Sequence, residues 1–404
     1  MKANNQLVLI LLLIPSIAET ITANKFIITI PGSPYTLGRL TFIFVGVIGI
    51  VNNRKFYLNS NTLKGMLLIF TGALLGAFFS NRILENLSRS LGAIILLIGS
   101  IGIASLWSLK SFKKFLDIFF ILNLTYWTYY VYDLTWSQGL NFIAYSKQFS
   151  ENDVVNHHLV GVNASVSSIY IALRYFYSGG VLKLGGYLII LIGLINCFIS
   201  ESRSNSLFTI LIFLIIILYS RMNFSRFLTI VIPSIGFIVI LLIFLADNNE
   251  SVFQRFNLSD NEYQERTTGM RLEFVYAFAD AFAKNPFGQG LINAIVQNGA
   301  HEYTLIHNQY LTFALAGGVI ALIGIFMWIV EFISVFRFTI NKGNLDIFNY
   351  AIIFSMFTFL LTLTTIDFSG LLFFMYVSLL INQSENYLVE RINYFKRISL
   401  RLNG

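Results

Sequence analysis

Long apolar runs, each closed by a short polar interval, recur along the whole chain. They fall near residues 5–22, 36–52, 64–80, 90–108, 115–131, 161–178, 184–199, 204–220, 226–246, 309–336, 348–366 and 368–383. A helix needs about 20 apolar residues to cross the hydrocarbon of a bilayer, and these runs come close to or exceed that length. None alternates with period two, and backbone groups in hydrocarbon must be bonded within their own segment, so the pattern predicts helices and not strands. The expected fold is an all-α polytopic membrane protein with about 12 transmembrane helices, a single integral domain over 1–404. Pro15 and Pro233 each interrupt one run and predict a kink there. Lys2 ahead of the first run, with Ser16-Ile17-Ala18 inside it, also fits a cleavable leader.

Two intervals, 132–160 and 247–305, are too long to be simple connectors. The second has a pattern of its own. Met270, Phe274, Phe278 and Phe282 recur every fourth residue and so share one helical face. Thr267 or Thr268 can cap that helix, and Asn285-Pro286 followed by Gly288 and Gly290 ends it. An amphipathic helix lying on a membrane surface is the expectation. No internal repeat emerges, and no run is broken at matching places in two halves as inverted repeats require.

Lys and Arg set the orientation, because short cytoplasmic connections accumulate them. With the N-terminus inside, inner connections hold Arg54, Lys55 and Lys64, then Lys110, Lys113 and Lys114, then Lys183, Arg221, Arg226, Arg337 and Lys342, and finally Arg391, Lys396, Arg397 and Arg401. Outer ones hold only Lys25, Arg39, Arg82, Arg89, Lys147 and Arg203. Both termini of this multi-pass protein are expected in the cytoplasm, and 247–308 becomes a large outer loop.

Composition removes other classes. With 56% hydrophobic residues, 12% charged and 40 Phe, the chain cannot cover a soluble surface. The net charge of +7 is explained by the inner connections and anionic headgroups, so it implies no nucleic-acid partner. A single cysteine, Cys197, allows no internal disulfide and no cysteine metal site. There is no nucleotide-binding glycine loop and no His-Glu-x-x-His, so neither hydrolysis-driven chemistry, a metal nor a cofactor is expected.

Candidate chemistry gathers on the outer side. In SESRSNSLF, Arg203 enters the first turn of a helix, whose free N–H groups and partial positive charge favour an anion. The guanidinium fork suits phosphate. Arg271 repeats the arrangement at the start of the surface helix, with Arg266 close by. His307 stands before Asn308, a plausible N-cap for the 309–336 helix, and an imidazole with an ordinary pKa near 6.5 is suited to moving a proton at neutral pH. Taken singly, each has a plainer reading: a snorkelling arginine, a solvated loop arginine, a histidine at headgroup level. Their assignment to one membrane face, from three segments, is what points to a site. His301, Tyr310 and Arg39 are neighbours that can extend it, with Arg82 and Arg89 widening a basic surface; His157 and His158 are weaker candidates, and Arg174 reads as snorkelling near an inner helix end.

At these residues the sequence resembles the O-antigen polymerase and O-antigen ligase superfamily. The resemblance lies in SESRSNSLF, in MRLEFVYAFADAFAKNPFGQGL with its arginine, amphipathic helix and Asn-Pro-x-Gly-x-Gly turn, and in HNQYLTFALAGGVIALIG with its histidine and glycine-containing helix. It implies a GT-C-like, metal-independent, inverting glycosyltransferase whose donor and acceptor are glycans linked through diphosphate to undecaprenol, with membrane lipids, a chain-length regulator and a flippase as further partners. It implies that Arg203 and Arg271 hold the diphosphate and that His307 is the general base. Polymerases join repeat units; ligases of the same family transfer the chain to lipid A core. From another class, a lipid-linked oligosaccharide flippase also suits a dozen helices, but it calls for charged pairs within the membrane, which the hydropathy pattern does not reveal. A structural scaffold would leave the arginines and histidine unexplained.

Overall fold

The structure is a computed structural model, and it describes residues 3–22, 28–29, 35–52, 60–107, 109–133, 157–176, 180–200, 203–219, 236, 275–292, 294, 296–298, 301–304, 308–342 and 371–402. These are almost entirely helical. In chain order the helices are α1 (Ala3–Leu12), α2 (Ile14–Ile21), α3 (Leu37–Asn52), α4 (Asn61–Gly76), α5 (Ile83–Leu106), α6 (Lys110–Tyr132), α7 (His157–Phe176), α8 (Gly180–Ile199), α9 (Arg203–Tyr219), α10 (Gln309–Lys342) and α11 (Leu371–Leu402). Residues 275–284 are also helical. One short antiparallel hairpin, β1 (Val296–Asn298) and β2 (His301–Thr304), is an addition to the expected all-helical chain. Among the described residues three stretches are long and apolar enough to cross a membrane, Asn61–Phe79, Ile83–Leu106 and Gln309–Val335; Asn5–Ile21, Leu37–Asn52, Gly185–Ile199 and Asn205–Ile215 are shorter apolar helices. The protein is a helical membrane protein. The expected spans 226–246 and 348–366, and Pro233, lie outside the described residues.

Pro15 divides the first run as expected. It occupies the first turn of α2, where its missing N–H costs no hydrogen bond, and α1 ends just before Leu13. The chain forms two compact units, Met1–Leu116 with Arg271–Gly404, and Asp117–Met270.

In the first unit small residues set the packing. Gly46 and Gly49 of α3 lie against Gly99 and Gly102 of α5, and a Cβ built on Gly46 would lie 2.6 Å from the Gly99 Cα. Lipid offers no hydrophobic drive for helices to associate, so close backbone approach supplies the dispersion contact instead. The expected consequence of Gly102→Leu is parting of α3 from α5, at or above the upper end of the ~1–3 kcal/mol typical of overpacking, read as a lower unfolding temperature in detergent. Antiparallel α4 and α10 meet the same way: Gly65 faces Gly324, and Gly72 faces Gly317. Phe70, Phe313, Phe373 and Phe374 close the centre, with Phe70 stacked on Phe374 at 5.9 Å and edge-on to Phe313 at 6.1 Å. Along α11, Trp107 Nε1 donates to Ser378 Oγ at 2.8 Å and Asn382 Nδ2 to the Ala104 carbonyl at 2.8 Å, which fixes α11 on α5.

The second unit is held by buried amides and hydroxyls. Asn123 Nδ2 donates to Asn163 Oδ1 at 3.0 Å and Ser167 Oγ at 2.8 Å, and its Oδ1 accepts from Trp127 Nε1 at 3.0 Å. Ser165 and Thr209 share a hydrogen bond of 2.7 Å between α7 and α9, and Asn196 Nδ2 donates to Thr128 Oγ1 at 2.7 Å. Arg174 forks onto Asp117, with Nε and Nη2 each 3.0 Å from a carboxylate oxygen and both side chains part-exposed. Within the units, α3 and α5 run parallel, α4 and α10 antiparallel, and α7 and α8 antiparallel.

Candidate functional site

The 275–284 helix carries the expected amphipathic pattern. Phe278 and Phe282 are half-buried with ring centroids 5.7 Å apart, while Val275, Tyr276, Asp280 and Lys284 are exposed, the last two paired across one turn. Met270, Phe274 and the cap candidates Thr267 and Thr268 lie outside the described residues. The helix ends where Asn285-Pro286 predicts. Asn285 N still donates to Ala281, and Gly288 and Gly290 then take φ of +91° and +78°, which side chains rarely tolerate.

That turn plugs into a break in α10. The 309–336 run reads as one uninterrupted helix, but Gly318 has φ +60° and ψ −147° and divides it. The break removes the partners of the Leu315 and Ala316 carbonyls and of the Val319 N–H, and unpaired backbone groups are expensive in an apolar setting. The turn replaces all three: Gln289 N donates to Leu315 O at 3.0 Å, Gly290 N to Ala316 O at 3.0 Å, and Val319 N to Pro286 O at 2.9 Å. Gly76 at the end of α4 leaves room, its carbon lying against the Ala316 carbonyl and Gln289 N. Phe79 stacks on Phe287 at 5.7 Å on the outside of the join.

α10 begins as the sequence reading expects. Asn308 caps it, its Oδ1 accepting from Tyr310 N at 3.0 Å and Leu311 N at 3.2 Å, while Thr312 Oγ1 donates to the Asn308 carbonyl at 3.0 Å. Tyr310 is half-buried in the first turn. His301 opens β2, its backbone paired with Asn298. Arg203 is the first residue of α9, the helix-start position the sequence reading gave it, and it belongs to the second unit. The side chains of Arg203 and His301, and all of Arg266, Arg271 and His307, lie outside the described residues, as do the side chains of His157 and His158. One end of the first unit thus carries the turn, the α10 cap and the starts of α3 and α5.

Arg39 stands at that end in company the sequence did not announce. Thr36 caps α3 by accepting from Arg39 N at 3.2 Å, and its hydroxyl donates to Glu19 Oε2 at 2.6 Å. Arg39 Nε lies 3.6 Å from Glu19 Oε1, too long for a hydrogen bond, and both atoms are buried without another partner. The Glu19 side chain is 1% exposed, that of Arg39 19%. Breaking a fully buried pair costs about 3–5 kcal/mol, so Glu19→Ala is expected to lose somewhat less, and Arg39→Met in the same chain to restore part of it in a thermal unfolding series. A second buried carboxylate, Glu331 of α10, accepts from Ser384 Oγ at 3.2 Å and Asn61 Nδ2 at 3.3 Å. Hydropathy averaging hides Glu19 and Glu331 in apolar runs, so the helical body buries more carboxylates than the sequence pattern reveals. Among the described residues no group of three or more His, Cys, Asp or Glu side chains gathers as metal ligands.

Residues 188–326 match the family model described as O-antigen ligase. The match runs from the middle of α8 through Arg203, Arg271, the 285–290 turn, His307 and the helix break at Gly318 to residue 326 of α10. No curated protein matches the chain.

Proposed function

We propose that this chain, whose residues 188–326 match the family model described as O-antigen ligase, is a member of the O-antigen polymerase and ligase superfamily and a membrane glycosyltransferase that polymerises oligosaccharide repeat units carried on undecaprenyl diphosphate. The observation that carries the reading is the join of the 285–290 turn to the broken α10, which ties the two most specific sequence motifs to one end of one unit. On this reading the chain has about 12 spans in a GT-C-like arrangement in the bacterial inner membrane, both termini are cytoplasmic, and 247–308 faces the periplasm or exterior as the loop bearing the catalytic motifs.

The reaction is a displacement at the anomeric carbon. An acceptor hydroxyl oxygen bonds to that carbon from the face opposite the carrier, the bond to the diphosphate oxygen breaks, and undecaprenyl diphosphate leaves with the bonding pair. His307 takes the hydroxyl proton as the new bond forms. Arg203 and Arg271 hold the diphosphate and offset the charge that grows on it, which is electrostatic stabilisation of the oxyanion-hole kind. Arg266, His301, Asn308, Tyr310 and Arg39 are assigned to substrate binding, Asn308 being next to His307 in sequence and held by its own cap bonds. Since the positive charge comes from arginine, chelators are expected to leave the rate unchanged within about twofold, measured with and without EDTA.

The description of the matching family model favours a second reading, a ligase that moves the finished glycan to lipid A core. Purified protein given only lipid-linked repeat units separates the two. A ladder of products supports polymerisation; product only after addition of lipid A core supports ligation; no product with either acceptor removes both and leaves a flippase for lipid-linked oligosaccharide. A chain-length regulator and a flippase are the protein partners expected of a polymerase.

A further inference from the structure

Asn86 lies in the first turns of α5, 0% exposed, and its amide serves two segments far apart in the chain. Nδ2 donates to Ser80 Oγ at 3.0 Å and to the Arg82 carbonyl at 3.1 Å, which squares the corner between α4 and α5. Oδ1 faces the other way and accepts from Ile292 N at 2.7 Å, 206 residues along the sequence. Gly290 lies flat on the same side chain, and a Cβ there would sit 2.5 Å from the Asn86 Cγ. Gly290 is at the same time bonded through its N–H to the Ala316 carbonyl at the helix break.

These contacts define where a loop begins. From Ile292 the chain makes the β1–β2 hairpin and returns to Asn308, whose cap bonds define where the loop ends. The stretch between these two points in sequence includes His301 and His307. The corner bonds of Asn86 are local to α5, whereas the Oδ1 bond is a tie between the helical body and the loop.

We propose that Asn86 is a positioning residue for the transfer reaction, its Oδ1 fixing the start of the segment whose sequence contains His307. The inference rests on His307 being the base. A misplacement of about 1 Å at reacting groups costs roughly 10²-fold in rate, so loss of the tie is felt in turnover more than in binding.

Three variants separate positioning from simple packing. Asn86→Asp keeps an acceptor for Ile292 N–H and loses the donors to the corner; Asn86→Leu keeps the volume and loses both; Ser80→Ala weakens the corner and leaves the tie. With protein that remains monodisperse in detergent, Asn86→Leu is expected to lower kcat by roughly 10²-fold with KM for the lipid-linked donor within about threefold. Asn86→Asp and Ser80→Ala keep kcat within a few-fold even where their unfolding temperatures fall. Amide exchange at Ile292 accelerates in Asn86→Leu alone. Equal loss of kcat in Asn86→Leu and Ser80→Ala, or unchanged Ile292 exchange in Asn86→Leu, overturns the proposal. Should His307→Ala retain full activity while the exchange contrast holds, the tie stands and it is the assigned base that fails.

Discussion

His307→Ala leaves a folded protein that no longer joins glycans. General acid–base catalysis contributes about 10²–10⁴-fold, so turnover is expected to fall by that factor while donor binding, which the proposal assigns to the arginines, changes little. The fold should survive, because the α10 start is capped by Asn308 through its own side chain and not by its neighbour. A pH series sharpens the result. A base with an ordinary histidine pKa near 6.5 gives wild-type kcat/KM that rises through that region as the imidazole loses its proton, and the rise is absent in the variant. A His307→Ala protein of normal activity, or one whose pH profile is unchanged, would place the proton acceptor elsewhere.

Gly318→Val removes the site by another route. At φ +60° and ψ −147° the backbone is in a region open essentially to glycine, and a Cβ there would lie 2.5 Å from the Phe287 carbonyl carbon and 2.6 Å from Gly288 N. The substitution therefore meets backbone strain of order 1–3 kcal/mol together with a clash against a second segment. The ways out are to heal the helix through 318 or to expel the 285–290 turn, and either breaks the three bonds made by Gln289, Gly290 and Val319. Net loss above about 4 kcal/mol, exceptional for a single change, is expected, with little folded protein extracted from membranes and none of it active. Gly185 of α8, where a Cβ would meet nothing within 4 Å, serves as the control: Gly185→Ala should be silent. Normal yield and activity of Gly318→Val would show that the break is not needed.

The length of the apolar runs made the helices legible, because every span must satisfy its backbone internally, so the signal is long and local. Where it failed, the cause was non-local. The run 309–336 contains Ala-Gly-Gly, which a continuous helix tolerates at a small cost; only the Asn285–Gly290 turn, from another part of the chain, turns that tolerance into a break. The turn was legible from Asn-Pro and its two glycines, and so was the Asn308 cap, since both act within a few residues. Asn86 carried no signal, for its partner is 206 positions away. Glu19 and Glu331 were lost in apolar averages, and their partners, Arg39 and Thr36 for the first and Ser384 and Asn61 for the second, come from other helices. The β1–β2 hairpin escaped because three or four residues per strand are too few for a period to register.

The central claim is that the protein makes glycosidic bonds. The most direct test counts carrier released against bonds formed, in vesicles containing purified protein and an undecaprenyl-diphosphate-linked repeat unit. The account calls for one undecaprenyl diphosphate released per new bond, inverted configuration at the joined carbon, and loss of both signals in Arg271→Ala. Passage of lipid-linked glycan across the vesicle membrane with no carrier released would contradict it.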